Sequence, residues 1–381
     1  MHNTIAPYRH PLFEKLSKIV DLIVYYCTVK HSYRKWDLWP RSYDYKFKVL
    51  PRIFIRTSFG EFSLNPTIVS EIIKNKPHII IIGGYVDPTI WLAFAMSKIL
   101  KIPVIYWTEG IREPNSLPGK LTKPLRMLFI KKSKAIIVPG SLSKRYVISL
   151  GADVNKVFIA PNAMDNELFI KISDKYCRHK NQLKNQLGFR VKVIILCVAQ
   201  LIERKGIKYL LQAYSKIEQE YKNVALLICG SGPLKTSLKE LASKLEIQNF
   251  KIIESGLSLE QLIKLYSASD IFVLPTLEDV WGFVINEAMA CGLPVISTYA
   301  SQAAVEMIRL GINGYIVKEA NSEELYNALK KLVLNEKLRI RMGHNSRTIL
   351  RRYFSIDSMV SGFIQAISYA LAKQRKHSLN R

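Results

Sequence analysis

Residues 191–221 read VKVIILCVAQLIERKGIKYLLQAYSKIEQEY. A near-continuous apolar run, rich in β-branched residues, gives way to a short basic turn and then to an amphipathic segment. Such a run is short for a helix and fits a strand buried on both faces. The segment after it has helical periodicity. The same strand–turn–helix unit recurs along the chain. Downstream strands are VALLICG (224–230), NFKIIES (249–255), DIFVLPT (270–276) and LPVIST (293–298). Upstream ones are HIIIIGG (78–84), IPVIYW (102–107), AIIVPG (135–140) and VFIAP (157–161). Buried strands alternating with helices indicate parallel sheets covered on both faces, so the expected class is α/β, with two doubly wound domains and a ligand cleft.

At 381 residues the chain has room for two such domains, and about half of its residues are apolar. The polar stretch 171–190, KISDKYCRHKNQLKNQLGFR, interrupts the alternation and reads as a linker. The first domain then covers 1–170, the second 190–352, and 353–381 forms a C-terminal helix with a basic tail. The opening IAPYRHPLFEKL reads as a loop and helix, with almost nothing before Asn3. A doubly wound domain usually opens with a strand, so either the first strand is missing or the true start lies upstream.

Cys27, Cys177, Cys197, Cys229 and Cys291 show no metal-ligand or redox spacing. Nothing asks for disulfides or zinc, and no apolar run reaches the ~18 residues of a membrane span. The expected compartment is the cytoplasm, free or peripheral at the inner face of the membrane. The formal charge is +26, of which +14 falls in residues 1–165 (25 basic, 11 acidic). That field favours anionic partners such as phosphorylated small molecules, acidic lipid or nucleic acid, although a lysine-rich genome produces the same bias.

Three motifs carry chemistry. In VAQLIERKGIKYLL (198–211), Arg204 and Lys205 stand at the carboxyl end of a strand, beside the amino end of a helix. Helix amides and two cations suit a diphosphate, but a solvated basic turn would look the same. ICGSGPLKTSL (228–238) has a Gly-x-Gly turn that is not a dinucleotide fingerprint; tight strand-to-helix packing explains it equally well. In LPTLEDVWGFVINEAMACGLPVIST (274–298), a loop presents Asp279, Trp281, Gly282 and Phe283 near the start of a helix that carries Glu287. Carboxylates there can hold vicinal hydroxyls; alternatively Asp279 is a helix cap and Glu287 a solvated residue. Taken together, a diphosphate receptor and two hydroxyl-binding acids form a nucleotide-sugar site.

VAQLIERKG, GSGP, SDIFVLPT, DVWGFVINE, EAMACGLPVI and NGYIV together resemble the retaining glycosyltransferases of family four, of GT-B fold with two Rossmann-like domains. The resemblance covers nearly the whole chain and is strongest over 190–320. It implies that Lys205 binds the donor diphosphate, Glu287 the nucleotide ribose, and Asp279 hydroxyls of the transferred sugar. Amides around Gly282, Phe283 and Val284 would hold phosphate, with Trp281 in the same loop. Gly256 marks where the base is held. The C-terminal helix would cross back to the first domain. Two positions depart from the family pattern: Asp279 replaces the usual Glu, and Gln200 replaces a phosphate-binding Arg that Arg204 could supply. Glu109, in YWTEG (106–110), is the acceptor-side candidate.

The activity implied is metal-independent, cofactor-free transfer from a nucleotide-diphosphate donor to a glycan or lipid-linked hydroxyl, in cell-surface polysaccharide, lipopolysaccharide or glycolipid synthesis. No Asp-x-Asp occurs in the chain, so no metal is expected. A nucleotide-sugar epimerase of the same fold is the alternative. A basic nucleic-acid-binding protein is the alternative of another class, but no helix-turn-helix, zinc-finger or RNA motif supports it, so no nucleic acid is expected. The basic, apolar segment 117–138 could be an interfacial helix at an anionic membrane, or simply a helix packed on the sheet.

Overall fold

The structure, a computed structural model, describes residues 1–29, 43–57, 60–85, 87–113 and 122–379. The chain forms two compact units, one of residues 1–164 with 356–381, the other of 165–355.

Unit 1 contains β1 (His2–Thr4), α1 (His10–Ser17), β2 (Ile23–Thr28), β3 (Lys46–Val49), β4 (Ile53–Thr57), β5 (Gly60–Leu64) and α2 (Ile68–Asn75). It continues with β6 (Ile80–Gly83), α3 (Pro88–Ile99), β7 (Val104–Trp107), α4 (Lys123–Lys132), β8 (Ala135–Val138), α5 (Ser141–Ser149) and β9 (Val157–Ile159). The strands β6-β7-β8-β9 are all parallel, as are β1-β2-β3, while β4 and β5 form an antiparallel hairpin. A short strand therefore does precede the first loop, where the sequence suggested either a missing strand or a start further upstream. It escapes notice because it is three residues long and polar. His2 and Thr4 pair with Tyr26 and Thr28, and the Met1 carbonyl accepts from the Gly83 amide at 3.2 Å.

Unit 2 begins with α6 (Asn166–Cys177) and α7 (Lys180–Gln186), inside the segment expected to be a linker. Asp165 caps α6 by accepting from the Leu168 amide at 3.1 Å. Phe169, Ile170 and Leu183 are buried, and several of the charged residues form ion pairs. Lys180 and Lys184 reach Asp270 at 2.8 and 2.7 Å, and Asp174 takes Arg347 at 2.7 Å. Polar composition here marks helices held by charge at the edge of a core. After them come β10 (Val193–Val198), α8 (Ile207–Glu220), β11 (Val224–Cys229), α9 (Lys235–Lys244), β12 (Phe250–Ile253), α10 (Leu259–Ala268) and β13 (Ile271–Leu274). Then follow α11 (Phe283–Ala290), β14 (Val295–Thr298), α12 (Gln302–Met307), β15 (Gly314–Val317), α13 (Ser322–Leu334) and α14 (Glu336–Tyr353).

The six strands of unit 2 are parallel, in the order β12-β11-β10-β13-β14-β15. The chain winds from β10 outward through β11 to β12, then returns to place β13 on the other side of β10. The order reverses there, between β10 and β13, the place where ligands of such open parallel sheets are commonly held. The last helix, α15 (Ile356–Leu379), belongs to unit 1. Its Met359, Val360, Phe363 and Ala366 are buried with Leu12, Leu16, Ile105 and Ile137.

Candidate active site

Lys205 leaves the loop after β10 and Asp279 the loop after β13, and the Lys205 Nζ donates to Asp279 Oδ2. The two side chains meet at the reversal point of the sheet, and both residues are buried. Backbone geometry fixes them. Gly206, at φ +62°, ends the turn holding Lys205, and a Cβ there would lie 2.2 Å from the Pro275 carbonyl oxygen. The amides of Leu277 and Glu278 donate to the Arg204 carbonyl at 2.7 and 3.3 Å. The Thr276 hydroxyl sits 3.0 Å from the carbonyl oxygens of both Arg204 and Glu278. The Asp279 amide donates to the Ala300 carbonyl at 3.0 Å, so its backbone is anchored next to α12.

The residue before α11 is Gly282, at φ +101°, which has no side chain of its own to cap the helix. Amides of a helix's first turn have no intrahelical acceptor, so Phe283 and Val284 present partial positive charge beside the Lys205–Asp279 pair. One turn further, Glu287 Oε2 accepts from the Tyr266 hydroxyl at 2.7 Å. Burial raises the Glu287 carboxyl above its usual range, and the Tyr266 hydrogen bond acts in the opposite sense.

The remaining expected site residues divide clearly. Arg204 is exposed, with Nη2 3.5 Å from Gln200 Oε1 and Nη1 donating to the Glu278 carbonyl at 3.2 Å, so Arg204 and Gln200 share one rim. Gly256, at φ +103°, lies just beyond β12 with nothing within 4 Å of the place a Cβ would take. Trp281 is different: it is 1% exposed, and its indole donates to Asn286 Oδ1 at 2.9 Å. Its ring is a core anchor of the loop and offers no face to a ligand. The Gly-x-Gly turn also has a packing cause. A Cβ at Gly230 would lie 1.9 Å from the Ala199 carbonyl oxygen, and one at Gly232 2.4 Å from that of Leu201.

Glu109 lies in unit 1, just past β7. Its Oε1 accepts from Arg9 Nη2 and, at 3.0 Å, from Asn162 Nδ2, while Arg9 Nη1 donates to Asn162 Oδ1 at 2.7 Å. The Arg9 guanidinium also lies 4.5 Å over the Trp107 ring. Arg9, Asn162, Thr276 and Tyr266 were not foreseen, because each acts through a contact far away in sequence. A large apolar cavity of about 420 Å³ lies in unit 1 near Met1, Leu16, Val24, Ile72 and Ile81. The acids among its lining residues, Asp21 and Glu71, are engaged by Lys46 and by Lys48 and Tyr25 respectively, so it lacks the charge pattern of the unit 2 cluster.

Residues 179–349 match the family described as Glycosyl transferases group 1. A Haemophilus influenzae protein described as an uncharacterized glycosyltransferase is 31% identical over 173 residues, 45% of this chain and 48% of that one. The capsular polysaccharide biosynthesis glycosyltransferase CapM of Staphylococcus aureus is 27% identical over 241 residues, 60% of this chain and 62% of CapM. The chain thus spans about half to three-fifths of the length of these two relatives. Among solved structures, Anabaena Alr3699/HepE in complex with UDP superposes with a TM-score of 0.75. It is 17% identical, with 96% of this chain and 98% of that one covered, a likeness that shows the fold expected from sequence.

Proposed function

We propose that this chain, whose residues 179–349 match the family Glycosyl transferases group 1, moves a sugar from a nucleotide-diphosphate donor to a hydroxyl of a glycan or lipid-linked acceptor. The observation that carries this reading is the meeting of Lys205, Asp279 and the start of α11 at the reversal point of a parallel sheet. The diphosphate lies against the α11 amides and Lys205, with Arg204 and Gln200 at the rim. Glu287 accepts from the ribose hydroxyls. Asp279 gives Lys205 one oxygen and turns the other to hydroxyls of the sugar.

The bond between the anomeric carbon and the diphosphate oxygen breaks as the acceptor hydroxyl attacks from the same face, retaining configuration. The hydroxyl proton passes to the departing phosphate oxygen. Charge grows on that oxygen in the transition state, where Lys205 and the fixed amides stabilise it most. On the acceptor side, Arg9 and Asn162 hold Glu109 by one oxygen, and the other accepts from a substrate hydroxyl. The protein supplies the charge balance itself, so chelation of divalent metal leaves transfer unchanged. CapM acts in capsular polysaccharide synthesis, and a role in cell-surface polysaccharide or glycolipid assembly belongs to the same proposal.

The test is a thermal-shift and calorimetric screen of the full chain against UDP-, GDP- and ADP-sugars, followed by turnover of the donor that binds. Lys205→Ala should lower turnover roughly 100-fold or more, and Glu287→Gln should weaken donor binding. Wild-type chain that binds no nucleotide sugar, or variants that turn over as fast as wild type, would sink the assignment. An epimerised donor in the absence of acceptor would transfer it to the epimerase alternative.

A further inference from the structure

The helices α3, α4 and α5 connect successive neighbours in the parallel order β6-β7-β8-β9. Right-handed crossovers that all step in one direction put their helices on one face of the sheet. Packing agrees: Phe129 of α4 lies 4.5 Å from Trp91 and 4.4 Å from Phe94 of α3, ring centroid to centroid. The inner side of this layer is core, with Ile90, Phe94, Phe129, Ile130 and Val147 buried. Segment 117–138 thus contains a helix packed on the sheet, residues 117–121 lying outside the described residues.

The outer side is unusual in two ways at once. The three helices contain no Asp or Glu, against seven Lys and Arg, of which only Arg126 is buried. Their outer surface also exposes large aliphatic side chains. Leu125 and Leu128 are each 40% exposed, Ile99 70%, Leu100 42% and Ile148 37%. The two classes interleave. Lys98 Nζ donates to the Lys132 carbonyl at 2.8 Å, which joins the ends of α3 and α4. Lys131 Cε lies 3.7 Å from where a Cβ on Gly151 would be, which brings the end of α5 alongside. Lys98, Lys101, Lys131 and Lys132 are exposed around the leucines and isoleucines. Burial lowers the Lys98 ammonium below its usual range, and the neighbouring Lys134 and Lys132 add to that effect. Among acids flanking these helices, Asp87 accepts from the Ser63 amide at 3.1 Å, Glu113 takes Arg126, and Asp153 accepts from the Asn155 amide at 3.0 Å.

The geometry points to the outer face of α3, α4 and α5 as a docking surface for an anionic lipid bilayer. Aliphatic side chains enter the acyl boundary while flanking lysines meet lipid phosphates, each contributing modestly and the cluster adding up. A nucleic acid would use the lysines but leave five exposed aliphatic residues without a partner, since its backbone is read by charge and its bases by aromatic or Arg faces. The surface is independent of the unit 2 cluster, so vesicle binding and donor binding stand or fall separately.

The full chain is floated with vesicles of phosphatidylcholine alone or with 30 mol% phosphatidylglycerol, at low and high salt. Expected is binding to the anionic vesicles that weakens with salt. The pairs Leu125→Glu/Leu128→Glu and Lys131→Glu/Lys132→Glu should each lower the partition coefficient roughly tenfold or more. A control pair on exposed positions of α14 in unit 2, Lys337→Glu/Arg341→Glu, makes the same charge change as the lysine pair and should leave binding nearly intact. Circular dichroism and the thermal shift with the bound nucleotide sugar check that each variant is folded. No binding to anionic vesicles, equal loss in the control pair, or binding that survives both α4 pairs would overturn the proposal. Capture by a 30-base-pair DNA duplex that needs the lysines but not the leucines, without vesicle binding, would reassign the face to nucleic acid.

Discussion

Lys205 and Asp279 are 7% and 9% exposed, so neither charge is well solvated, and each depends on the other. Removing one partner of a buried pair leaves the other charge uncompensated, whereas replacing both by apolar groups of similar size can be nearly neutral. Asp279→Ala should therefore destabilise the chain by about 3 kcal/mol. The pair Lys205→Met/Asp279→Leu should recover most of that stability in urea melts while binding no donor. A double variant that bound nucleotide sugar normally would show that the ion pair serves folding alone. Glu287 gives a pH signature. Its folded pKa is raised by burial, so between the ordinary carboxylate value and the raised one the native state holds a proton that the unfolded chain gives up. The Glu287 contribution to stability is thus lost as pH rises through that window, while an ionised ribose acceptor is gained. Donor affinity should climb with pH to a plateau, with its midpoint above the ordinary carboxylate range. Tyr266→Phe removes the bond that favours the carboxylate and should push the midpoint higher still. A midpoint unmoved by Tyr266→Phe would mean that another group controls binding.

Among elements, the two turns flanking Lys205 and Asp279 are set by backbone constraints that side-chain patterning only hints at. Gly206 combines a left-handed conformation with a backbone approach that a methyl group would block at 2.2 Å. Gly206→Ala should cost at least about 2 kcal/mol, and should also displace Lys205, because the β10 and β13 loops must separate to admit the methyl. A melt within a few tenths of a kcal/mol of wild type would show that the loops give freely. The same region shows why sequence reading succeeds where it does. VIILCV and IFVL are buried on both faces, so their composition alone marks them as central strands. Asp279 could be preferred over Glu278 by its spacing to Glu287. Its partner, its anchoring to Ala300 and the burial of Trp281 depend on contacts across the sheet and had no local signature. The segment 171–190 misled for a related reason. Its helices bury only a few apolar residues and tie Glu167, Asp174, Lys180 and Lys184 to Arg351, Arg347 and Asp270, which a local pattern cannot see. β1 was too short and polar to register.

On the scale of the whole molecule, the two units differ in how the chain closes them. Unit 2 is one continuous stretch, 165–355, with its own six-stranded sheet and a core running from Val193 to Met342. Every donor-side residue named above lies within it. Unit 1 is completed only by α15, whose Met359, Phe363 and Ala366 are at most 1% exposed beneath the first helix and central strands. A fragment of 165–355 should therefore unfold cooperatively and bind the preferred nucleotide sugar, with an affinity lowered only by whatever unit 1 adds to the donor site. A fragment of 1–164 exposes the apolar bed of α15 and should show no cooperative transition, because burying several large side chains at about 25 cal/mol per Å² decides the stability of a domain this size. Urea melts followed by circular dichroism, with calorimetric titration of the 165–355 fragment, separate the possibilities. If that fragment folded but bound no donor that the full chain binds, Lys205, Asp279 and Glu287 would be insufficient, and part of the donor site would have to come from unit 1.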